Sequence, residues 1–197
     1  MIALSDKHKL TPEEYLAFEE NSLIKHEYRD GDVYAMAGTT DNHNTIALNL
    51  ATLIRSHLRG TDCRVYFADI KAKIEAKNCF YYPDLLVTCD TRDRATATYK
   101  SFPNLIIEVL SESTEGFDRG DKFNDYQTLA SLEEYVVVSS THQRVEIFRR
   151  KPSHWQYEAY TLERPNFRLE SIALEVSISD VYEDVVVERM SNFNPEK

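Results

Sequence analysis

Glycine is scarce in this chain, five copies in 197 residues, while tyrosine is plentiful at twelve. That balance favours strands and packed helices over long flexible loops. Cysteine is equally sparse: Cys63, Cys79 and Cys89 are too few and too scattered for a zinc knuckle or a redox CxxC pair. An odd number of cysteines without a leader sequence argues against a secreted disulfide framework. Long apolar runs are missing too. The opening MIALSDKHKL has no apolar core of signal length, and no stretch reaches the length of a membrane span. The expectation is a soluble, cytoplasmic protein. Positive charge is in deficit, 23 basic against 33 acidic residues for a net −10. A protein that grips DNA through a broad electrostatic footprint is normally basic. The deficit does not exclude a nuclease, because clustered carboxylates that await a divalent ion make a site acidic until the ion inverts the local field.

What remains is ordinary globular material, with 42% apolar and 28% charged residues. The length suits one domain that needs no staples to fold. It reads as a tail over residues 1–9, a domain over 10–190 and a frayed end over 191–197, without repeats or linkers. Leu10-Thr11-Pro12-Glu13-Glu14-Tyr15 carries complete helix-start signals: Thr11 as N-cap, Pro12 at the first position, Glu14 closing a capping box. Lys25 to Met36 predicts a hairpin turning at Asp30-Gly31. A helix is predicted over Asn42 to Arg59, with Ile46, Leu50, Leu53, Ile54 and Leu58 on one stripe and Gly60 past its end. Strands follow over Arg64 to Glu75, Phe80 to Cys89 and Asn104 to Leu110. Then come a helix over Phe117 to Ala130, strands over Glu134 to Ser139 and Arg144 to Arg150, and shorter strands to Val176. This order predicts an α/β chain in which a mixed sheet is flanked by helices.

Two strands hold carboxylates where strands should be dry. Asp84 stands near the start of Tyr81-Tyr82-Pro83-Asp84-Leu85-Leu86-Val87-Thr88-Cys89, and Glu108 lies inside Leu105-Ile106-Ile107-Glu108-Val109-Leu110. Runs like these belong to strands covered on both faces. An ionised carboxylate there costs several kcal/mol unless a cation or donor cluster meets it. A shared metal ion is one good partner for both. Mg²⁺ (or Mn²⁺) takes one or two carboxylates, waters and substrate phosphate, polarising the phosphate and acidifying an attacking water. Lys122 is the candidate cation beside that water, with Asp118 a turn before it and Tyr126 a turn after. Each residue has a plainer reading: Pro83-Asp84 as a strand entry, Glu108 on a wet edge strand, Lys122 as an exposed lysine paired with Asp118.

The ordered set His26-Glu27-Tyr28-Arg29-Asp30-Gly31, Pro83-Asp84, Glu108-Val109-Leu110-Ser111-Glu112-Ser113-Thr114, Asp118, Lys122 and Tyr126 resembles the Uma-type family. These are bacterial endonucleases of the PD-(D/E)xK, restriction-endonuclease-like superfamily. The resemblance runs from about Leu10 to about Val187. It implies an αβββαβ core extended by an N-terminal helix and hairpin and by extra C-terminal strands. It implies Asp84 and Glu108 as acidic metal ligands, the Val109 main-chain carbonyl as a further metal contact, and Glu27 as another acidic group near the site. On a plainer reading Glu27 is a surface residue of the hairpin. The superfamily's usual lysine position, two residues after the second acid, is occupied here by Leu110. The resemblance points to Lys122 as the displaced lysine, with Lys71 and Lys73, on the side carrying Asp69, as rivals. His43 falls where the family often has histidine, beside the site or in a first-turn cap; the residues favour the cap. Ser111 either meets phosphate at a helix N-terminus or caps the helix, and capping is again favoured.

The activity implied is metal-dependent hydrolysis of phosphodiester bonds, of DNA first, and a two-fold dimer is expected on general grounds, since two strands are most easily cut by two copies of a site. The rival reading is a nuclease-fold module with weak or no turnover that binds nucleic acid or regulates. A different metal hydrolase reusing the same carboxylates is more distant.

Overall fold

The computed structural model describes residues 9–36, 38–112 and 114–187. Residues 1–8 of the tail expected over 1–9 and the frayed end expected over 191–197 lie outside these. Helix α1 (Pro12–Glu20) starts on the capping box: the Thr11 hydroxyl accepts from the Glu14 N–H at 3.2 Å and the Glu14 carboxylate from the Thr11 N–H at 2.8 Å. Strands β1 (His26–Arg29) and β2 (Asp32–Ala35) form the expected hairpin. Asp30 and Gly31 both have positive φ, 48° and 94°, as the favoured two-residue hairpin turn requires. At Gly31 a Cβ would also stand 2.7 Å from that of Lys9. Helix α2 (Asp41–His57) buries Ile46, Leu50 and Ile54.

The next two strands differ from expectation. The run Arg64 to Glu75 is two strands, β3 (Arg64–Phe67) and β4 (Lys71–Ile74). The run Phe80 to Cys89 is likewise split into β5 (Cys79–Tyr81) and β6 (Leu85–Thr88). In each pair the two halves join different sheets. The first crossing is made at Ala68, whose φ is 56°. The second is made at Pro83, which has no N–H to give a ladder. The crossings lie side by side, since the Ala68 N–H bonds the Asp84 carbonyl at 2.9 Å. Asp84 is therefore at the seam between sheets.

Strands β7 (Tyr99–Lys100) and β8 (Leu105–Leu110) follow. The single helix expected over Phe117 to Ala130 is two short ones, α3 (Glu115–Arg119) and α4 (Asp121–Tyr126). The break is at Gly120, whose φ −107° and ψ −102° lie outside the helical region. Strands β9 (Glu134–Ser139), β10 (Val145–Arg150), β11 (Trp155–Tyr160), β12 (Asn166–Leu169), β13 (Leu174–Ser177) and helix α5 (Ile178–Val181) complete the chain.

The six-stranded sheet has the order β11-β10-β9-β8-β6-β3, and the five-stranded sheet β2-β1-β5-β4-β7. The pairs β3–β6 and β6–β8 are antiparallel and β8–β9 is parallel. The αβββαβ core is thus α2, β3, β6, β8, the α3–α4 pair and β9, with β4 and β5 as an excursion into the second sheet. Helices α2 and α5 pack on one face of the six-stranded sheet. The other face meets the second sheet and α4 across a second core that includes Tyr81, Ile106, Phe123, Tyr126 and Tyr135. Helix α1 covers the outer side of the five-stranded sheet through Tyr15, Tyr28 and Phe80. All six residues of β8 are buried, Glu108 among them.

The cysteine reading needs one correction. Cys63 and Cys89 form a disulfide, while Cys79 is free and buried. The β3–β6 register pairs Arg64 with Thr88, which sets the flanking residues 63 and 89 opposite each other. This is a local cross-strand staple rather than a framework. No described helix is long and apolar enough to cross a membrane.

Helix α3 is fastened to β10 through the buried Glu146, which takes Arg119, Arg144 at 2.8 Å and the Tyr157 hydroxyl at 2.5 Å. Burial works against the Glu146 carboxylate, but these donors outweigh it and hold its pKa below the ordinary 4.5. A depressed carboxylate stabilises the fold above its unfolded pKa, and that stability is lost as pH falls through the folded value. Glu146→Gln is expected to cost about 1.5–3 kcal/mol at neutral pH in urea unfolding. The difference from wild type should shrink below about pH 4.5; an equal deficit at every pH would show that charge is not what matters there.

Candidate active site

The β6–β8 register pairs Leu85 with Ile107, so continuing it by one residue sets Asp84 opposite Glu108 on one side of the sheet. Asp84 Oδ2 accepts the Val109 N–H at 2.7 Å and faces His43 Nε2 at 3.3 Å. Glu108, 3% exposed, gives Oε1 to the Lys122 ammonium at 2.9 Å and to the Tyr126 hydroxyl at 3.1 Å. Lys122 is buried as well. It reaches Glu27 Oε1 at 3.1 Å and Asp118 Oδ1 at 3.5 Å, with its charge 5.6 Å from the centre of the Tyr81 ring. Glu27 also accepts the Tyr82 N–H at 3.0 Å.

The local sequence explains the convergence. On β1 the side chains of His26 and Tyr28 face α1, so Glu27 faces the opposite way, toward α4. Asp118, Lys122 and Tyr126 recur at helical spacing and keep a common face across the Gly120 break. Arg29 ties the two elements together, bonding Asp121 at 2.9 Å and the buried Asp125 at 3.1 Å.

Three carboxylates, Glu27, Glu108 and Asp118, thus surround one ammonium, with Asp84 opposite Glu108. Burial pushes the Glu108 carboxyl well above its ordinary pKa; Lys122 pulls it back, while Asp118, Asp84 and Glu27 push it further up. Glu27 is raised for the same leading reason, again against Lys122. Burial opposes the Lys122 charge, yet Glu108 and Glu27 overcome it and hold its pKa well above the usual lysine value. At His43 burial works against protonation, and hydrogen bonding to Asp84 and to the Val109 main chain prevails to raise it.

The cluster is short of positive charge. Among the described residues no fully buried side-chain oxygen or nitrogen lacks a hydrogen bond. The hydrogen bond from Tyr126 and the ion pair with Lys122 both fall on Oε1 of Glu108. Asp84 uses Oδ2 for both of its contacts and is 21% exposed at the side chain. No three His, Cys, Asp or Glu side chains among the described residues form a ready ligand cage. Two carboxylates and a carbonyl, completed by water and phosphate, are what Mg²⁺ typically uses in place of an all-protein cage. The donor set fits a hard divalent ion.

The other residues singled out from the sequence divide. Lys71 lies at the β4 position paired toward Tyr82 and bonds that hydroxyl at 3.1 Å; burial lowers its pKa. Lys73 pairs with Glu75 and Asp69 with Lys25. Lys71 and Lys73 make no bond to Glu108. Leu110, at the superfamily's lysine position, is packed in the core between the sheets. Ser111 meets the Thr114 hydroxyl at 2.9 Å in the turn before α3. The capping expected of His43 is met by its main chain, whose N–H bonds the Thr40 hydroxyl at 3.3 Å, while its ring turns to Asp84. Reading the sequence gave no role to the Tyr126 hydroxyl or to a buried Asp118, although their spacing around Lys122 was a usable signal.

A family model described as "Uma2: Putative restriction endonuclease" matches residues 12–180. Two proteins of Synechocystis sp. (strain ATCC 27184 / PCC 6803 / Kazusa), both described as uncharacterized, are similar over most of their length. The protein slr1290 is 40% identical over 175 residues, covering 88% of this chain and 92% of its own. The protein sll1609 is 31% identical over 153 residues, 76% and 86% of the two chains. A crystal structure from Anabaena variabilis ATCC 29413, described as a putative nuclease belonging to DUF820, superposes with a TM-score of 0.74 at 17% identity. It covers 90% of this chain and 99% of that one, and so shares the fold.

Proposed function

Because this chain belongs to the Uma2 family, we propose that it is a divalent-metal-dependent endonuclease that hydrolyses phosphodiester bonds, with DNA as substrate. The observation that carries this reading is the buried Glu108–Lys122 pair at 2.9 Å, with Asp84 opposite Glu108 on the neighbouring strand. Asp84, Glu108 and the Val109 carbonyl would hold Mg²⁺ or Mn²⁺. Bound there, the ion would polarise the phosphate and make a water nucleophilic at neutral pH.

The chain's own residues account for the rest. Lys122 stays protonated under the pull of Glu108 and Glu27, so it serves as a fixed positive charge and hydrogen-bond donor for the developing charge on phosphate, not as a base. Tyr126 and Lys122 together fix Glu108 through one oxygen and so aim the other. The Val109 N–H fixes Asp84 in the same way. Glu27 and Asp118 hold the ammonium in place. His43 donates to Asp84 and stands where it can also touch substrate. Cutting both strands of a duplex would take two copies of the site, most simply in a two-fold dimer.

Purified protein is expected to nick plasmid DNA with Mg²⁺ or Mn²⁺, and EDTA should stop the reaction. Glu108→Gln, nearly the same shape, is expected to lower the rate by about 10²–10³-fold. Cleavage that survives both EDTA and Glu108→Gln would refute the proposal. A folded protein that binds DNA but never cuts it would favour the binding or regulatory module.

A further inference from the structure

Three basic side chains stand apart from the others. Every other lysine and arginine among the described residues is ion-paired or hydrogen-bonded to a carboxylate, carbonyl or hydroxyl. Arg55, Arg59 and Arg64 have no such partner. All three lie where the end of α2 turns into β3. In a chain of net charge −10, Asn42 through Thr61 also forms the longest stretch without Asp or Glu. Among the described residues, the basic side chains without a partner are gathered around the end of α2 and the start of β3.

That place is a groove. About 420 Å³ lies between α2 and the edge strand β3, lined by Thr52, Arg55, Ser56, Arg59, Val65 and Phe67 among others. Val65 and Ala51 give it an apolar floor, the two arginines and two hydroxyls a polar rim, and Phe67 remains 38% exposed. Arg64 alternates with Val65 along the strand and so belongs to the other face.

The groove points at the candidate active site. At its far end Phe67 pairs with Leu85, next to Asp84, and the following residue, Ala68, bonds the Asp84 carbonyl. The opposite wall, α2, carries His43 in its first turn, beside that same Asp84. From His43 to Arg55 the helix rises about 18 Å. Unpaired arginines with hydroxyls suit a phosphodiester backbone, and an exposed aromatic on an apolar floor suits an unpaired base.

We infer that the groove between α2 and β3 holds a single polynucleotide strand, with phosphates on Arg55 and Arg59 and a base against Phe67, and leads it to the carboxylates at Asp84. The inference rests on the nuclease reading for what happens at the strand's end, but not for the binding itself. The test is fluorescence anisotropy of a labelled thymidine oligonucleotide, in EDTA, over a series of salt concentrations. Each of Arg55→Ala and Arg59→Ala is expected to weaken binding about fivefold at 0.1 M salt and to flatten the log–log salt slope by about 0.7. Phe67→Ala should weaken it about tenfold with the slope unchanged. Arg164→Ala, an exposed arginine in the β11–β12 turn, should bind as wild type.

Equal losses in Arg164→Ala, unchanged binding in the groove variants, or binding of duplex alone would each overturn the inference. So would groove variants that bind normally but change from dimer to monomer in sedimentation, since the groove would then be an interface between copies. Because no divalent ion is present, a failure to cleave leaves this result intact. Intact cleavage with unaltered binding in the variants sinks the groove alone.

Discussion

Lys122→Met is expected to lower the unfolding free energy by about 3–5 kcal/mol, the usual cost of removing one partner from a buried ion pair, and to abolish cleavage. Methionine keeps most of the apolar stem, so little packing is lost. What goes is the only positive charge among the described residues that touches Glu108, Glu27 and Asp118, which are 3%, 4% and 3% exposed. Three carboxylates are then left facing one another without water. Their mutual repulsion already pushes Glu108 upward while the lysine is present. Adding Glu27→Gln should restore part of the loss, because the amide oxygen can still accept the Tyr82 N–H and one charge is gone. The coupling between the two substitutions should be about 1–3 kcal/mol. Urea unfolding of wild type, both single variants and the double variant measures it. A loss under about 1 kcal/mol for Lys122→Met, with no coupling, would mean that the ammonium spends its time in water.

Asp84 and Glu108 stood out as candidates because charge inside Leu-Ile-Ile-Glu-Val-Leu or just after Tyr-Tyr-Pro is costly once both faces of the strand are covered. The hairpin and the α1 start were equally open to reading, since Asp30-Gly31 and the Thr11–Glu14 box act through local chemistry. The crossings between sheets were not. The alternation of apolar residues runs on through Ala68 and Pro83, and only the pairing of distant strands decides which half joins which sheet. The Gly120 break was missed because a glycine inside a helical pattern is tolerable at about 1 kcal/mol. At the site, the resemblance offered His43 a place beside the carboxylates, while its own residues favoured the cap. Its main-chain N–H does bond Thr40, as local capping chemistry predicts, and nothing within reach of that turn announces that its ring meets a carboxylate 41 positions away. Groups separated along the chain, such as Arg29 and Asp125, escape any reading based on spacing.

Asp84→Asn separates the fold from the proposed metal site, because its two effects have opposite signs. The amide oxygen can keep the 2.7 Å bond from the Val109 N–H. The lost charge relieves Glu108, which Asp84 pushes upward. Without divalent ion the variant should therefore be as stable as wild type or slightly more so. With Mn²⁺ or Mg²⁺ at about a hundred times the dissociation constant, wild type should gain about 2.7 kcal/mol. For a domain of this size that raises the melting temperature by about 5–10 °C. The variant should gain little, because one of its two carboxylate ligands has become an amide, and it should not cleave. Thermal melts of both proteins across a metal titration give the answer without any nucleic acid. Equal stabilisation of wild type and variant would remove Asp84 from the ligand set. A metal-free variant that melts far below wild type would instead mean that the aspartate is held for the fold, through Val109 and His43, and that its loss of cleavage says nothing about a metal.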